Sequence, residues 1–133
     1  MLKPWGIHYI GNVYKCKPSA IRSAPLIYDF TKTLVNKIDM KAYGEPQIIH
    51  FGTGNKAGYT LVQLIETSNI CAHFTEEDNG MYLDVFSCKE FDYKVVEQVV
   101  KDYFDPENID GYMFERKVKP MLEAYKRPGQ DKA

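Results

Sequence analysis

The spacing of apolar residues changes several times along the chain, and each change marks an element. Ile7 to Cys16 is rich in β-forming residues and predicts a strand, with Gly11-Asn12 as a candidate bulge. Ser23 precedes Ala24-Pro25, and Ile27, Phe30, Leu34 and Ile38 then recur at helical spacing. This predicts a helix from Ala24 to Met40, closed near Tyr43-Gly44. Gln47 to Phe51 predicts a short strand running into a glycine-rich loop from Gly52 to Gly58. The loop lacks both the G-x-x-x-x-G-K-[ST] order and Rossmann spacing, so a connection between strands fits better than a phosphate cradle. Tyr59 to Ile65 and Ile70 to Phe74 predict two more strands. Asp78-Asn79-Gly80 is a turn signal, and Met81 to Phe86 is the return strand of its hairpin.

After Cys88 the helical period returns. Asp92 is a suitable cap, and Val95, Val96, Val99, Val100 and Tyr103 form one broad apolar face that ends at Asp105-Pro106. Gly111 to Val118 predicts a last strand, and Lys119 to Ala133 a short helix or tail. The order β-α-β-β-β-β-α-β implies an α+β two-layer sandwich, a mainly antiparallel sheet with two helices packed on one face. Residues 1–118 then form one domain and 119–133 its C-terminal extension.

Composition narrows the function. Seventeen basic and eighteen acidic side chains leave a formal charge of -1. That balance argues against nucleic acid as a partner, because such affinity rests on clustered Lys and Arg. No apolar run approaches the ~20 residues needed to span a bilayer, and no signal peptide is visible, so no membrane partner is expected. Cys16, Cys71 and Cys88 are odd in number and form no C-x-x-C pair, which fits free thiols in a reducing, cytoplasmic setting.

A few polar residues interrupt the apolar central strands: Thr67-Ser68-Asn69, His73, Asp84 and Cys88. Each has an ordinary reading. A Ser between strands is a turn residue, a lone His on a strand packs or is solvated, and a Cys beside Phe86 is a small hydrophobe. As a set they can do more, since a Ser hydroxyl near a His is a potential nucleophile. The G-x-S-x-G elbow of many hydrolases is absent. No metal is expected, because His8, His50, His73 and the cysteines lack zinc-ligand spacing.

The run Ser68-Asn69-Ile70-Cys71-Ala72-His73, then Glu77, then Leu83-Asp84-Val85-Phe86-Ser87-Cys88 resembles a known family. It is that of the pyruvoyl-dependent S-adenosylmethionine decarboxylases of the small bacterial and archaeal type. The Ser-to-His, His-to-Glu and Ser-to-Cys spacings match without a gap, and Gly6, His8, Tyr14 and Cys16 fit the family's G-x-H…Y-x-C pattern. The resemblance spans roughly residues 5 to 117.

It implies a proenzyme that cuts itself between Thr67 and Ser68 and converts Ser68 to a covalent pyruvoyl cofactor, with His73 assisting proton transfer. Such a step needs a Ser hydroxyl held against its own preceding peptide bond, in a strained turn with donors for the oxyanion. The pyruvoyl carbonyl then forms a Schiff base with the substrate amine and acts as an electron sink. Cys88 matches the family's proton donor, Glu77 its ribose-binding carboxylate and Thr60 a hydroxyl near the cofactor. Phe51 is a candidate for stacking on adenine, and Trp5 is a second ring that could stack. The expected product, decarboxylated S-adenosylmethionine, supplies spermidine synthesis. A homodimer with sites near the subunit interface is also implied.

The chain departs from the family at Thr67, where Glu is usual and Glu66 lies one place earlier, at Asn69, where His is usual, and at Phe74-Thr75-Glu76, where Trp-Pro is usual. These changes bear on processing and substrate choice. They leave two alternatives open: the same chemistry on ornithine or arginine, and an unprocessed relative that binds a small molecule without catalysis.

Overall fold

The structure, a computed structural model, describes residues 4–118. The predicted tail, 119–133, lies outside the described residues. Six strands form one sheet: β1 (Gly6–Tyr14), β2 (Gln47–Phe51), β3 (Gly58–Ile65), β4 (Ser68–Thr75), β5 (Gly80–Ser87) and β6 (Asn108–Arg116). Their spatial order is β2-β3-β4-β5-β1-β6, and every neighbouring pair is antiparallel. Three helices, α1 (Pro18–Ile21), α2 (Ala24–Lys37) and α3 (Tyr93–Phe104), contribute to a single core on one face of this sheet. This is the expected α+β sandwich, with one helix more than predicted.

Local chemistry explains the boundaries. Ser23 caps α2 by accepting a hydrogen bond from the Leu26 N–H at 3.2 Å. The helix stops at Lys37, not Met40, because Asp39 takes a left-handed conformation (φ 60°). Asp92 caps α3 in the same way through the Lys94 N–H, and Asp105 ends it at φ 44°. The final strand starts at Asn108, three residues before the predicted Gly111, because Asn108 and Ile109 pair directly with Tyr14 and Val13. Asn and Asp are poor β-formers, so the sequence there looks like a loop. Helix α1 covers four residues with Pro at its first turn, too short to show a period.

The predicted bulge at Gly11-Asn12 is absent. The ladder runs unbroken through Gly11↔Leu83 and Asn12↔Tyr82, and Gly11 lies opposite Gly111 on the other side. Both glycines make room for the buried Tyr9 ring: a Cβ on either would lie within 3 Å of the phenol oxygen. Tyr9 donates its hydroxyl to Glu97 of α3 at 2.6 Å, and burial together with that carboxylate pushes the phenol well above its usual range.

The core lies between the helices and one sheet face. Leu61, Ile70, Phe74, Met81, Leu83 and Val85 meet Phe30, Leu34, Val99 and Phe104 there, and all are buried. Phe30 and Phe104 meet edge-on at 4.9 Å. Cys16 is buried too, which pushes its thiol up to about 12. The alternate positions face the other way. Ile10, Val62, Leu64, Tyr82 and Phe86 are only partly covered or exposed, Leu64 at 50% and Tyr82 at 46%. Among the described residues no helix packs on this second face, and no helix is long and apolar enough to cross a membrane.

Candidate functional site

Strands β3 and β4 are joined by Glu66-Thr67 alone, with Ile65 paired to Ser68. Favoured two-residue hairpin turns need positive φ at one or both central residues, which suits Gly, Asn or Asp. Neither Glu66 nor Thr67 takes it. The distortion falls on the next residue, and Ser68 has φ 156°. That backbone region is essentially reserved for glycine and costs a side-chain-bearing residue roughly 1–3 kcal/mol.

Strain of this kind persists only where surrounding structure enforces it, and the enforcing contacts are specific. The segment after α2 runs beside the turn as a strap. The Glu66 N–H donates to the Lys41 carbonyl at 2.9 Å, Ala42 bridges Ile65, and the Tyr43 N–H donates to Leu64 at 2.8 Å. On the other side, the Cys88 N–H donates to the Thr67 carbonyl oxygen at 3.0 Å. Thr67 and Ser68 are half-buried and the Cys88 side chain is exposed. The carbonyl of the Thr67–Ser68 peptide bond is therefore already polarised by a fixed donor.

Behind the turn lies a second hydroxyl pair. Ser87 is fully buried; its Oγ donates to Thr67 Oγ1 at 2.9 Å and accepts from the Lys89 N–H at 2.9 Å. Thr67 Oγ1 in turn donates to the Met40 sulfur at 3.2 Å. Sequence reasoning singled out neither Ser87 nor Met40. The available signal was Ser87 continuing the buried alternation Met81, Leu83, Val85.

The remaining predicted residues gather at the opposite end of the sheet. His73 is exposed on the uncovered face, and its Nδ1 lies 3.3 Å from Thr60 Oγ1 on the adjacent strand. Glu77 is exposed in the β4–β5 turn, and Phe51 ends β2 with 58% of its surface open. Five residues of extended strand separate Ser68 from His73, about 16 Å at ~3.3 Å per residue. One chain thus joins Thr67, Ser68 and Cys88 at one end, and Thr60 and His73 near the other, with Glu77 and Phe51 beyond them. It does not bring the serine and the histidine together.

On the β5-β1-β6 side of the uncovered face lies a polar cluster. Arg116 donates to His8 Nδ1 at 2.9 Å, so the ring proton sits on Nε2, which donates to Asp84 at 3.0 Å. The Arg116 guanidinium lies 4.9 Å over the Phe86 ring, and the exposed Trp5 packs on Phe86 at 5.6 Å. Asp84 thus receives a hydrogen bond from His8, and Trp5 meets an aromatic of its own chain. Cys71, beside Asp84, is half-buried, and burial followed by that carboxylate pushes its thiol up. Among the described residues no group of three His, Cys, Asp or Glu side chains could hold a metal ion.

Two matches with known proteins bear on the family and the fold. The model of the S-adenosylmethionine decarboxylase family matches residues 7–117. The crystal structure of the adenosylmethionine decarboxylase from Aquifex aeolicus superposes with a TM-score of 0.75 at 21% identity, covering 90% of this chain and 96% of that one. The second match shows the shared fold. The first spans most of the sequence, and the chain belongs to the S-adenosylmethionine decarboxylase family.

Proposed function

We propose that this protein is a self-processing, pyruvoyl-dependent decarboxylase of S-adenosylmethionine. The observation that carries the reading is Ser68 at φ 156°, directly after a carbonyl that already accepts the Cys88 N–H at 3.0 Å. Ser68 Oγ adds to the Thr67 carbonyl carbon, and the Cys88 N–H holds the oxyanion that forms. The carbon–nitrogen bond then breaks and the nitrogen takes up the proton lost from Ser68 Oγ, leaving an ester and a free amine. This step also relieves the strained backbone. Loss of the Ser68 Cα proton expels the Thr67 carboxylate, and water releases ammonia to leave the pyruvoyl group. Once formed, that group supplies an electron-withdrawing carbonyl for the substrate amine. The exposed Cys88 thiol, on the residue whose N–H bonds the same turn, would return a proton to the substrate carbon after carbon dioxide leaves.

Proton transfer at Ser68 requires a base, and the chain's own His73 is about 16 Å away along β4. A homodimer resolves this. Two copies related by a two-fold axis, meeting on their uncovered sheet faces, would bring the β3–β4 turn end of one over the Thr60 and His73 end of the other, twice. Glu77 and Phe51 then come from the same end as His73, where the carboxylate engages the ribose diol and the ring stacks on adenine. The half-open apolar positions Ile10, Val62, Leu64 and Phe86 are buried in the same event. The product would feed spermidine synthesis.

The test is release of labelled carbon dioxide from a panel of carboxyl-labelled amino acids. S-adenosylmethionine should be the substrate turned over. Release from ornithine or arginine alone would replace it with a smaller basic substrate, and release from none would contradict a decarboxylase.

A further inference from the structure

We propose that Ser87 is a positioning residue for self-cleavage, acting through the hydroxyl of Thr67. The inference rests on the self-processing reading and adds a residue that touches neither the scissile bond nor the substrate. Ser87 pairs with Ser68 across the β4–β5 ladder and is fully buried. A hydroxyl in that setting is unfavourable unless bonded, and this one has a defined partner on each side. It accepts from the Lys89 N–H at 2.9 Å and donates to Thr67 Oγ1 at 2.9 Å, with the Met40 sulfur farther off at 3.7 Å. Thr67 Oγ1 then has its proton free for the Met40 sulfur at 3.2 Å. The chain of donors runs one way, from the strand end after β5, through the turn, to the strap after α2.

The consequence lies in the angle of the Thr67 peptide. Glu66-Thr67 has no Gly, Asn or Asp to set a turn type by itself. Its main-chain tethers outside the hairpin are the strap at Glu66 and the Cys88 N–H at the Thr67 carbonyl. Fixing Thr67 Oγ1 fixes the Thr67 backbone between those tethers, which keeps the carbonyl on its donor while Ser68 remains strained. Lys89 supports the same end, as its Nζ bonds the carbonyl of Asp39 at 2.5 Å and its carboxylate at 3.1 Å. Without the Ser87 hydroxyl the turn can rotate, relieve Ser68 and lose the oxyanion donor.

The experiment follows the cleavage of freshly translated full-length chain with time. Ser87→Ala and Thr67→Val should each slow cleavage about tenfold or more, a loss matching one hydrogen bond made in the reacting geometry. The double variant should be no slower than the slower single, because both remove one interaction. Ser87→Thr, which keeps the hydroxyl, should restore most of the rate. Thr67→Val lies at a half-buried turn and keeps side-chain shape, so its unfolding midpoint should stay near wild type even if Ser87→Ala folds poorly. Wild-type cleavage with both single variants cutting at the same rate would overturn the role of Ser87 and leave self-processing intact. A wild-type chain that never cuts would overturn self-processing, and this inference with it.

Discussion

The two hairpin turns that bracket β4 are built on opposite plans. At the β4–β5 turn the residues suit their backbone. Asn79 takes φ 55°, a conformation Asn tolerates, and Asp78 accepts from the Gly80 N–H at 3.2 Å and the Thr75 hydroxyl at 2.5 Å. Arg22 only fastens this turn from outside, donating to Asn79 Oδ1 at 2.9 Å and the Glu76 carbonyl at 2.8 Å. At the β3–β4 turn the residues do not suit it. Glu66-Thr67 pushes the distortion onto Ser68, and the geometry is imposed by Lys41, Cys88 and Ser87. On the proposed reading, the turn that suits its residues presents Glu77 to the substrate, and the turn forced from outside stores strain beside the nucleophile Ser68.

The largest expected effect breaks this division between chains. Ser68→Ala should abolish cleavage, and His73→Ala should nearly do so when expressed alone. Coexpression of the two should restore it, with the cut confined to the His73→Ala chain, because its intact Ser68 receives the histidine of its partner. Band analysis with one chain tagged reads this directly. Wild-type cleavage of His73→Ala by itself would remove the histidine from the reaction.

A smaller effect comes from giving the forced turn the chemistry of the relaxed one. Replacing Glu66-Thr67 by Asn-Gly supplies the positive φ that a two-residue hairpin prefers. The uncut chain should gain roughly 1–3 kcal/mol of stability in denaturant titration as Ser68 relaxes. Cleavage should slow in parallel. A variant that is stabilised and cuts as fast as before would show that strain at Ser68 contributes nothing to rate.

The smallest effect belongs to the other turn. Arg22→Ala should lower stability by about 1 kcal/mol, the value of an exposed hydrogen-bonded tether, and leave the cleavage rate of folded chain unchanged. A stopped or sharply slowed cleavage would mean that the two ends are coupled within one subunit.

Much of the fold is legible in the sequence. The helical period of Ile27, Phe30 and Leu34 and the β-rich runs around Leu61, Ile70 and Leu83 report burial on one side of an element, and burial is what the structure repeats. Helix α1 escapes because four residues contain no period, and the start of β6 escapes because Asn108 and Asp110 are strand residues only by virtue of pairing with β1. At the site, Ser68, His73 and Cys88 stand out in the sequence only through the family resemblance, and their arrangement in the fold is not legible there. A gap of five is near in sequence and far along a strand. The clamp on the turn was hidden for another reason. Met40 and Ser87 are distant in sequence from Thr67, and only the sheet order brings them to it.

The most direct measurement of the account is the mass of the purified, denatured full-length chain. Two fragments, residues 1–67 and residues 68–133, with the second carrying a hydroxylamine-reactive pyruvoyl in place of its serine amine, are the predicted result. A single uncut chain with no reactive carbonyl would contradict it.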